Sequence, residues 1–338
     1  MMKVYSNPKQ RDHAPVSELQ NGEMVPFAEK PERLDAMIAS LGPITVGADH
    51  GLAPIQAVHD ANYIAFLQTA HAEWVKAQRP GDAFPYVFPV RHRRPLDLSR
   101  IDAQLGQYAF DCGTPISTHT WTAAYWNAQT AISGMADILD GADTALGLCR
   151  PPGHHAGRDY MGGYCYLNNT AIAAQMAIDA GSARVAILDV DYHHGNGTQD
   201  IFYERSDVLT ISLHADPSTD YPFYWGHADE TGLGRGQGFN LNLPMPRGTE
   251  WEEYRKQLEI GREAVANFAP DVLIVPFGAD TFREDPISEF CIDTHDYHAM
   301  GQCIAELNLP SLILTEGGYN IDFLGENVKN FADGFASE

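Results

Sequence analysis

The sequence predicts an α/β protein, one doubly wound domain with a mainly parallel sheet and helices on both faces. Three observations carry that expectation: short apolar runs recur along the chain, helical patterns lie between them, and no internal repeat or low-complexity linker divides the 338 residues. The runs are TALGLC (144–149), RVAILDV (184–190), VLTISLH (208–214), DVLIVPF (271–277) and SLILTE (311–316). Each is mostly apolar, as strands buried on both faces are. Between them, residues 121–139, 167–180, 251–268 and 295–307 place apolar side chains at a spacing near 3.6. The one long irregular stretch is residues 79–100, RPGDAFPYVFPVRHRRPLDLSR; a loop of that length in a compact domain is usually functional or an interface.

Composition narrows the function. There are 22 Lys+Arg against 45 Asp+Glu, a net charge of −23, with 44% hydrophobic residues. That balance argues against a sequence-independent grip on nucleic acid, which depends on basic residues neutralising phosphates. It suits a cationic or neutral small partner. The five cysteines (Cys112, Cys149, Cys165, Cys291 and Cys303) are scattered, odd in number and without a C-x-x-C pair, so neither a disulfide framework nor a thiolate zinc site is expected. The opening MMKVYSNPKQRDHAPV has no apolar run of the signal-peptide kind, and no stretch approaches the length of a membrane helix. The expectation is a cytoplasmic protein without membrane contact.

Ligands of open parallel sheets bind at the carboxyl ends of the strands. Here TALGLC is followed by RPPGHH, RVAILDV by DYHHGNG, DVLIVPF by GAD and SLILT by EGGYN, so four expected strands deliver His, Asp or Tyr to one edge. Asp191 and His193 lie two apart and can face one ion, with Asp189 behind them and Asp280 arriving from another strand. One imidazole and two carboxylates suit a catalytic zinc with an open position. A lone D-x-H is more often a strand-end cap; the convergence of other groups on the same edge tips the reading toward a metal.

The tandem His154-His155 offers a general base, with Asp189 and Asn196 available to fix the two tautomers. An Asp partner raises the basicity of its imidazole and an Asn does not, which divides the pair into an electrostatic member and a base. A solvated His-His turn is the alternative. Tyr319, after Gly317-Gly318, can donate to a carbonyl oxygen and the oxyanion it becomes, although an isolated G-G-Y is more often an ordinary packed tyrosine. The glycine-rich stretch 232–238 precedes an apparent strand, FNLNLP, rather than opening a helix after one, and reads as a surface loop.

Taken in order, RPPGHHAG, GGYCYLNN, ILDVDYHHGNGTQDIFY, FGADTFREDPIS and EGGYN resemble the histone deacetylase family, and within it the bacterial acetylpolyamine amidohydrolases. The similarity runs from KVYSNPKQRDH to the closing helix. It implies a single arginase/deacetylase-like domain over residues 1–338 and zinc-dependent hydrolysis of an acetylated amine, with one Zn2+ per chain. Asp191, His193 and Asp280 match the zinc ligands, His154 and His155 the histidine pair with Asp189 and Asn196 behind it, and Tyr319 the catalytic tyrosine. By the same resemblance His155 is the base that later protonates the leaving amine, and Tyr164 and Tyr221 are tunnel walls. A structural K+ would be held by Asp189, Ser212 and carbonyls near Asp191, His193 and Leu213, and a second by carbonyls around Phe202, Arg205 and Val208.

The substrate rim departs from the pattern. Where acetylpolyamine-specific relatives place two glutamates, this sequence has Asp102 and Gly113; Asp111 lies close by and matches the aspartate with which deacetylases hold a peptide. The 79–100 insertion resembles one that lets such enzymes form homodimers and narrow the tunnel, although Arg91, His92, Arg93 and Arg94 also read as a solvated basic run. Three alternatives remain open at this point. They are deacetylation of acetyl-lysine peptides or hydrolysis of another small amide, an arginase-like dimanganese hydrolase, and an inactive binding protein.

Overall fold

The computed structural model describes residues 2–89 and 96–336. In chain order the strands are β1 (Lys3–Ser6), β2 (Ser17–Gln20), β3 (Glu23–Pro26), β4 (Thr45–Val46), β5 (Thr144–Gly147), β6 (Val185–Asp189), β7 (Val208–Ala215), β8 (Asn240–Met245), β9 (Val272–Phe277) and β10 (Ser311–Thr315). The α-helices are α1 (Glu32–Leu41), α2 (Ala53–Gln56), α3 (Ala61–Lys76), α4 (Ile101–Gln107), α5 (Thr120–Leu139), α6 (Asn169–Asp179), α7 (Asn196–Phe202), α8 (Trp251–Phe268), α9 (Asp296–Ala305) and α10 (Ile321–Phe335). Eight strands form one sheet in the order β4-β1-β5-β10-β9-β6-β7-β8, and every neighbouring pair is parallel. The strands β2 and β3 stand apart as an antiparallel hairpin.

The apolar runs explain the layering. Along β6, Val185 and Ile187 pack into one core with residues of α3, α5 and α6, while Ala186 and Leu188 pack into a second core with α1, α8, α9 and α10. On β10, Leu312 and Leu314 face the first core and Ile313 the second. Alternate side chains go to opposite faces, so both faces must be apolar and both are covered. The helix α8 shows the complementary pattern: Tyr254, Leu258, Gly261 and Val265 are buried at intervals of three and four, and its charged residues, Glu252, Glu253, Arg255, Lys256, Glu259, Arg262 and Glu263, lie outside that buried set. The helix α6 starts where the Asn168 side chain accepts the Ala171 amide hydrogen.

The strands and helices expected from residue 121 onward are all present, and the glycine-rich stretch 232–238 is a turn leading into β8. The described part of 79–100 has no helix or strand, only a bridge between Ala83 and Ile116. Arg91, His92, Arg93 and Arg94 lie outside the described residues. No disulfide joins the five cysteines, and among the described residues no helix is long and apolar enough to cross a membrane.

Sheet order positions the site. The strands β5, β10, β9 and β6 are consecutive neighbours at the centre of the sheet. They are the four whose carboxyl ends lead into His154-His155, Tyr319, Asp280 and Asp191-His193.

Candidate active site

Leaving β6, the chain turns so that Asp191 and His193 face Asp280, which arrives in the short turn after β9. One ligand atom from each of the three lies within 4.8 Å of the others. His193 Nδ1 is 3.1 Å from Asp280 Oδ2 and 3.5 Å from Asp191 Oδ1. Both carboxylates are fully or almost fully buried, and among the described residues neither forms an ion pair with Lys or Arg. Two anions in such a place need a cation, and an imidazole with two carboxylates is a donor set that fits zinc.

The backbone is shaped to leave the carboxylates room. A Cβ on Gly278 would collide with the Asp191 and Asp280 carboxylates, and one on Gly317 with the Asp280 carboxylate. The Gly317 amide instead donates to Asp191 Oδ2 at 2.8 Å, and the Tyr192 amide to Asp280 Oδ1 at 3.1 Å. Among the described residues this is the one such group of donors, whereas the dimanganese alternative needs a second set.

His154 and His155 follow β5 and lie with ring centroids 4.1 Å apart, both buried. His154 Nδ1 is 2.9 Å from Asp189 Oδ2, and His155 Nδ1 is 2.7 Å from Asn196 Oδ1. Burial opposes charge on His154, but the carboxylates of Asp191, Asp189 and Glu316 outweigh it and push its pKa up to about 10. The His155 pKa goes the other way: burial and the neighbouring His154 and His193 hold it well below the usual imidazole value. The two rings thus divide into a cation and a neutral base.

Tyr319 is 9% exposed and lines a cavity of about 310 Å³ together with His155, His193, Tyr164 and Tyr221. Its amide donates to Asp285 Oδ2 at 2.7 Å, the Arg33 guanidinium lies 4.8 Å from its ring centroid, and the Tyr164 ring lies 5.5 Å away. Burial keeps its phenol well above the ordinary value, so the hydroxyl is a protonated donor at neutral pH. Tyr164 has a left-handed backbone (φ 66°) and its amide donates to Thr114 Oγ1 at 2.9 Å. Tyr221 donates its hydroxyl to Asp111 Oδ2 at 2.7 Å, and Asp111 also lines the cavity.

Asp102 is the expected rim residue that the fold does not bring to this cavity. Its carboxylate is held by Arg79 at 2.9 Å and Arg100 at 2.6 Å, beside a separate depression at Trp74 and Tyr86. Arg100 stands two residues before Asp102 at the start of the same helix, whereas Arg79 meets it only on folding. Of the residues expected at potassium, Ser212 pairs in register with Asp189, but its hydroxyl is 2.9 Å from His214 Nδ1. Leu213 is buried on β7, which Val208 opens. The carbonyl of Phe202 accepts the Arg205 amide hydrogen at 2.9 Å.

Two positioning residues escaped the sequence reading. Glu316 is fully buried, and its Oε2 accepts the main-chain hydrogens of Gly153 at 2.5 Å and His154 at 3.1 Å, fixing the histidine pair from the end of β10. Arg33 on α1 donates to the carbonyls of Gly318 and Glu316 at 2.5 and 2.6 Å, and its charge is met by Glu29 at 2.7 Å. The position of Glu316 beside Gly317-Gly318 was a usable signal; nothing in the sequence tied Arg33 to a site 283 residues away.

A central parallel sheet whose carboxyl edge presents three side chains that could hold a metal ion, a histidine pair and a tyrosine defines a hydrolase constellation. The histone deacetylase domain matches residues 28–335, and the chain belongs to that family. It is 45% identical to acetylpolyamine amidohydrolase 2 of Pseudomonas aeruginosa over 99% of this chain and 98% of the relative. It is 46% identical to acetylpolyamine amidohydrolase 1 of the same organism over 99% of both. The crystal structure of acetylpolyamine aminohydrolase from Burkholderia pseudomallei superposes with a TM-score of 0.96 at 42% identity, covering 100% of this chain and 99% of that one. The chain is a hydrolase of this family.

Proposed function

We propose that the protein hydrolyses the amide of small acylated amines, foremost acetylpolyamines, releasing acetate and the free amine. The observation that carries this reading is the convergence of Asp191, His193, Asp280, His155 and Tyr319 on one side of the sheet, His155, His193 and Tyr319 lining one cavity. The names of the relatives above, similar over their full length, support the acetylpolyamine as substrate. Asp191, His193 and Asp280 would hold Zn2+, which supplies Lewis acidity toward a carbonyl oxygen and acidifies water.

The protein's own groups do the rest. His155, kept neutral, accepts a proton from the attacking water through Nε2 and later returns it to the leaving amine. Asn196 holds the opposite ring nitrogen and leaves Nε2 for that exchange. His154, paired with Asp189, contributes positive charge rather than proton transfer. The Tyr319 hydroxyl donates to the carbonyl oxygen and more strongly to the oxyanion that forms from it. The walls Tyr164 and Tyr221 shape a narrow space that suits slim substrates.

Structural K+ near Asp189, Ser212 and Leu213, and at the carbonyls of Phe202, Arg205 and Val208, is part of the same reading, as are a homodimer through the 79–100 loop and a cytoplasmic setting. The deciding experiment is kcat/KM of the zinc-loaded protein on acetylputrescine, acetylspermidine and an acetyl-lysine peptide. A clear preference for the polyamines is expected. Equal or weak rates on all three would leave an amidohydrolase with another small amide as substrate.

A further inference from the structure

The role of His155 turns on one side-chain amide. A neutral imidazole carries its hydrogen on one nitrogen only, and the partner of Nδ1 decides which. Asn196 presents Oδ1 to His155 Nδ1 at 2.7 Å, so the hydrogen sits on Nδ1 and Nε2 keeps a lone pair. With the amide turned over, Nδ2 would face Nδ1, the hydrogen would move to Nε2, and the base would be lost. An aspartate has two equivalent oxygens and could not present the wrong atom; an asparagine can. The amide therefore has to be held from its far side.

That far side is buried and holds two orphaned atoms. Asn196 is fully buried, and its Nδ2 meets no hydrogen-bond partner; nor does the buried hydroxyl of Tyr160. Buried polar groups are seldom left in this state, because each costs the bond it gave up in water. Burial holds the Tyr160 phenol well above its ordinary value; the Asp200 carboxylate pushes it further up and the Asn196 amide pulls it down, the signs of an acceptor and a donor facing one oxygen. Asn196 and Asp200 are four residues apart on α7 and so face the same side, where Tyr160 spans them.

The backbone is shaped for this contact. The Gly157 amide donates to the Tyr160 carbonyl at 3.0 Å, folding the chain back just after His155. A Cβ on Gly157 would strike the Tyr160 ring, and one on Gly197 would strike the main chain of His155 and Ala156, so ring and helix both press close to the base. The Phe110 ring meets that of Tyr160 edge-on, with centroids 5.7 Å apart. Tyr160 is not among the residues lining the cavity, which leaves it no direct part in binding substrate there.

We propose that Tyr160 is a positioning residue for the general base: its hydroxyl, donating to Asp200, accepts from Asn196 Nδ2 and so keeps Oδ1 toward His155 and the lone pair on Nε2. The inference rests on the proposed hydrolysis with His155 as base, and adds what selects the working tautomer of that base.

The test is a double-mutant cycle on the zinc-loaded full chain, with acetate release from N-acetylputrescine measured at the plateau of each variant's pH profile. Tyr160→Phe should lower kcat about tenfold and leave KM near wild type, as one buried hydrogen bond stops orienting the amide. In the Asn196→Asp background the same substitution should change kcat less than about twofold, because either carboxylate oxygen can accept from Nδ1. A merely structural tyrosine would cost the same factor in both backgrounds. Should Tyr160→Phe not fold, Asp200→Ala, at an exposed position, loosens the same hydroxyl and should show a smaller loss with the same dependence on background. The 15N signals of histidine-labelled protein, assigned by difference with His155→Gln, give a readout apart from turnover: His155 should carry its hydrogen on Nδ1 in the wild type and partly on Nε2 in Tyr160→Phe. An unchanged kcat and tautomer in the folded variant, or an equal loss in both backgrounds, would overturn the assignment. A wild type without turnover would refute the proposed hydrolysis, and the nitrogen spectrum would still decide whether Tyr160 sets the tautomer.

Discussion

Tyr319→Phe removes one oxygen and leaves the ring where it is. The seat of that ring does not depend on the hydroxyl: Arg33 lies 4.8 Å from its centroid, the Tyr164 ring 5.5 Å away, and the amide is pinned by Asp285 at 2.7 Å. The substitution therefore isolates the donor. Removing one oxyanion donor costs about 2.7–4 kcal/mol, or about 10²–10³ in rate. The bond strengthens as the carbonyl oxygen gains charge, so the loss should fall on kcat while KM stays close to wild type. Acetate release from N-acetylputrescine over a range of concentrations gives both constants, and zinc content and Tm measured on the same preparation show that the site is intact. A kcat within about threefold of wild type, with full metal and an unchanged Tm, would mean that the hydroxyl is not the oxyanion donor.

The remaining predictions concern the other parts of the site. His155 must be neutral to act as a base, and its pKa is held below the usual imidazole value; the acid limb of kcat/KM should therefore lie below pH 6.5, with activity present above it and lost as pH falls. Asn196→Asp would place a carboxylate 2.7 Å from His155 Nδ1 and should move that limb upward by about one unit or more, a shift that a pH–rate profile reads directly. Gly278→Ala pushes a Cβ into the Asp191 and Asp280 carboxylates and should lower zinc stoichiometry in a protein that still folds; a full equivalent of zinc would show that the turn can yield. Asp102→Ala should change kcat/KM for cationic and neutral amides by the same factor, because its charge is already met by Arg79 and Arg100; a selective loss on the cationic substrate would return it to the rim. Leu188→Ala, fully buried between β6 and its covering helices, should destabilise the fold by about 2–5 kcal/mol in a denaturant titration.

Much of the fold from residue 121 onward was legible because its strands are buried on both faces and say so in uninterrupted apolar runs. The N-terminal part was not. The strands β2 (SELQ) and β3 (EMVP) carry no apolar alternation, since they form a hairpin with little behind it, and β1 spans only Lys3–Ser6. That gap hid Arg33, which α1 carries to the turn beside Tyr319. The chemical groups were readable for a different reason: Asp191, His193, Asp280, the histidine pair and Tyr319 each follow a recognisable strand, and a parallel sheet brings such ends to one edge. Asp102 shows the limit of that logic. A motif position says which residue type is present, while only the fold shows that Arg79 joins the adjacent Arg100 in neutralising it.

The most direct measurement is a zinc titration of chelator-stripped protein, with acetate release from N-acetylputrescine as the readout, run beside Asp280→Ala. Activity should rise to a plateau near one equivalent of zinc in the wild type and stay at background in the variant. Full turnover before zinc is added, or equal recovery by Asp280→Ala, would contradict a metal-dependent hydrolase built on Asp191, His193 and Asp280.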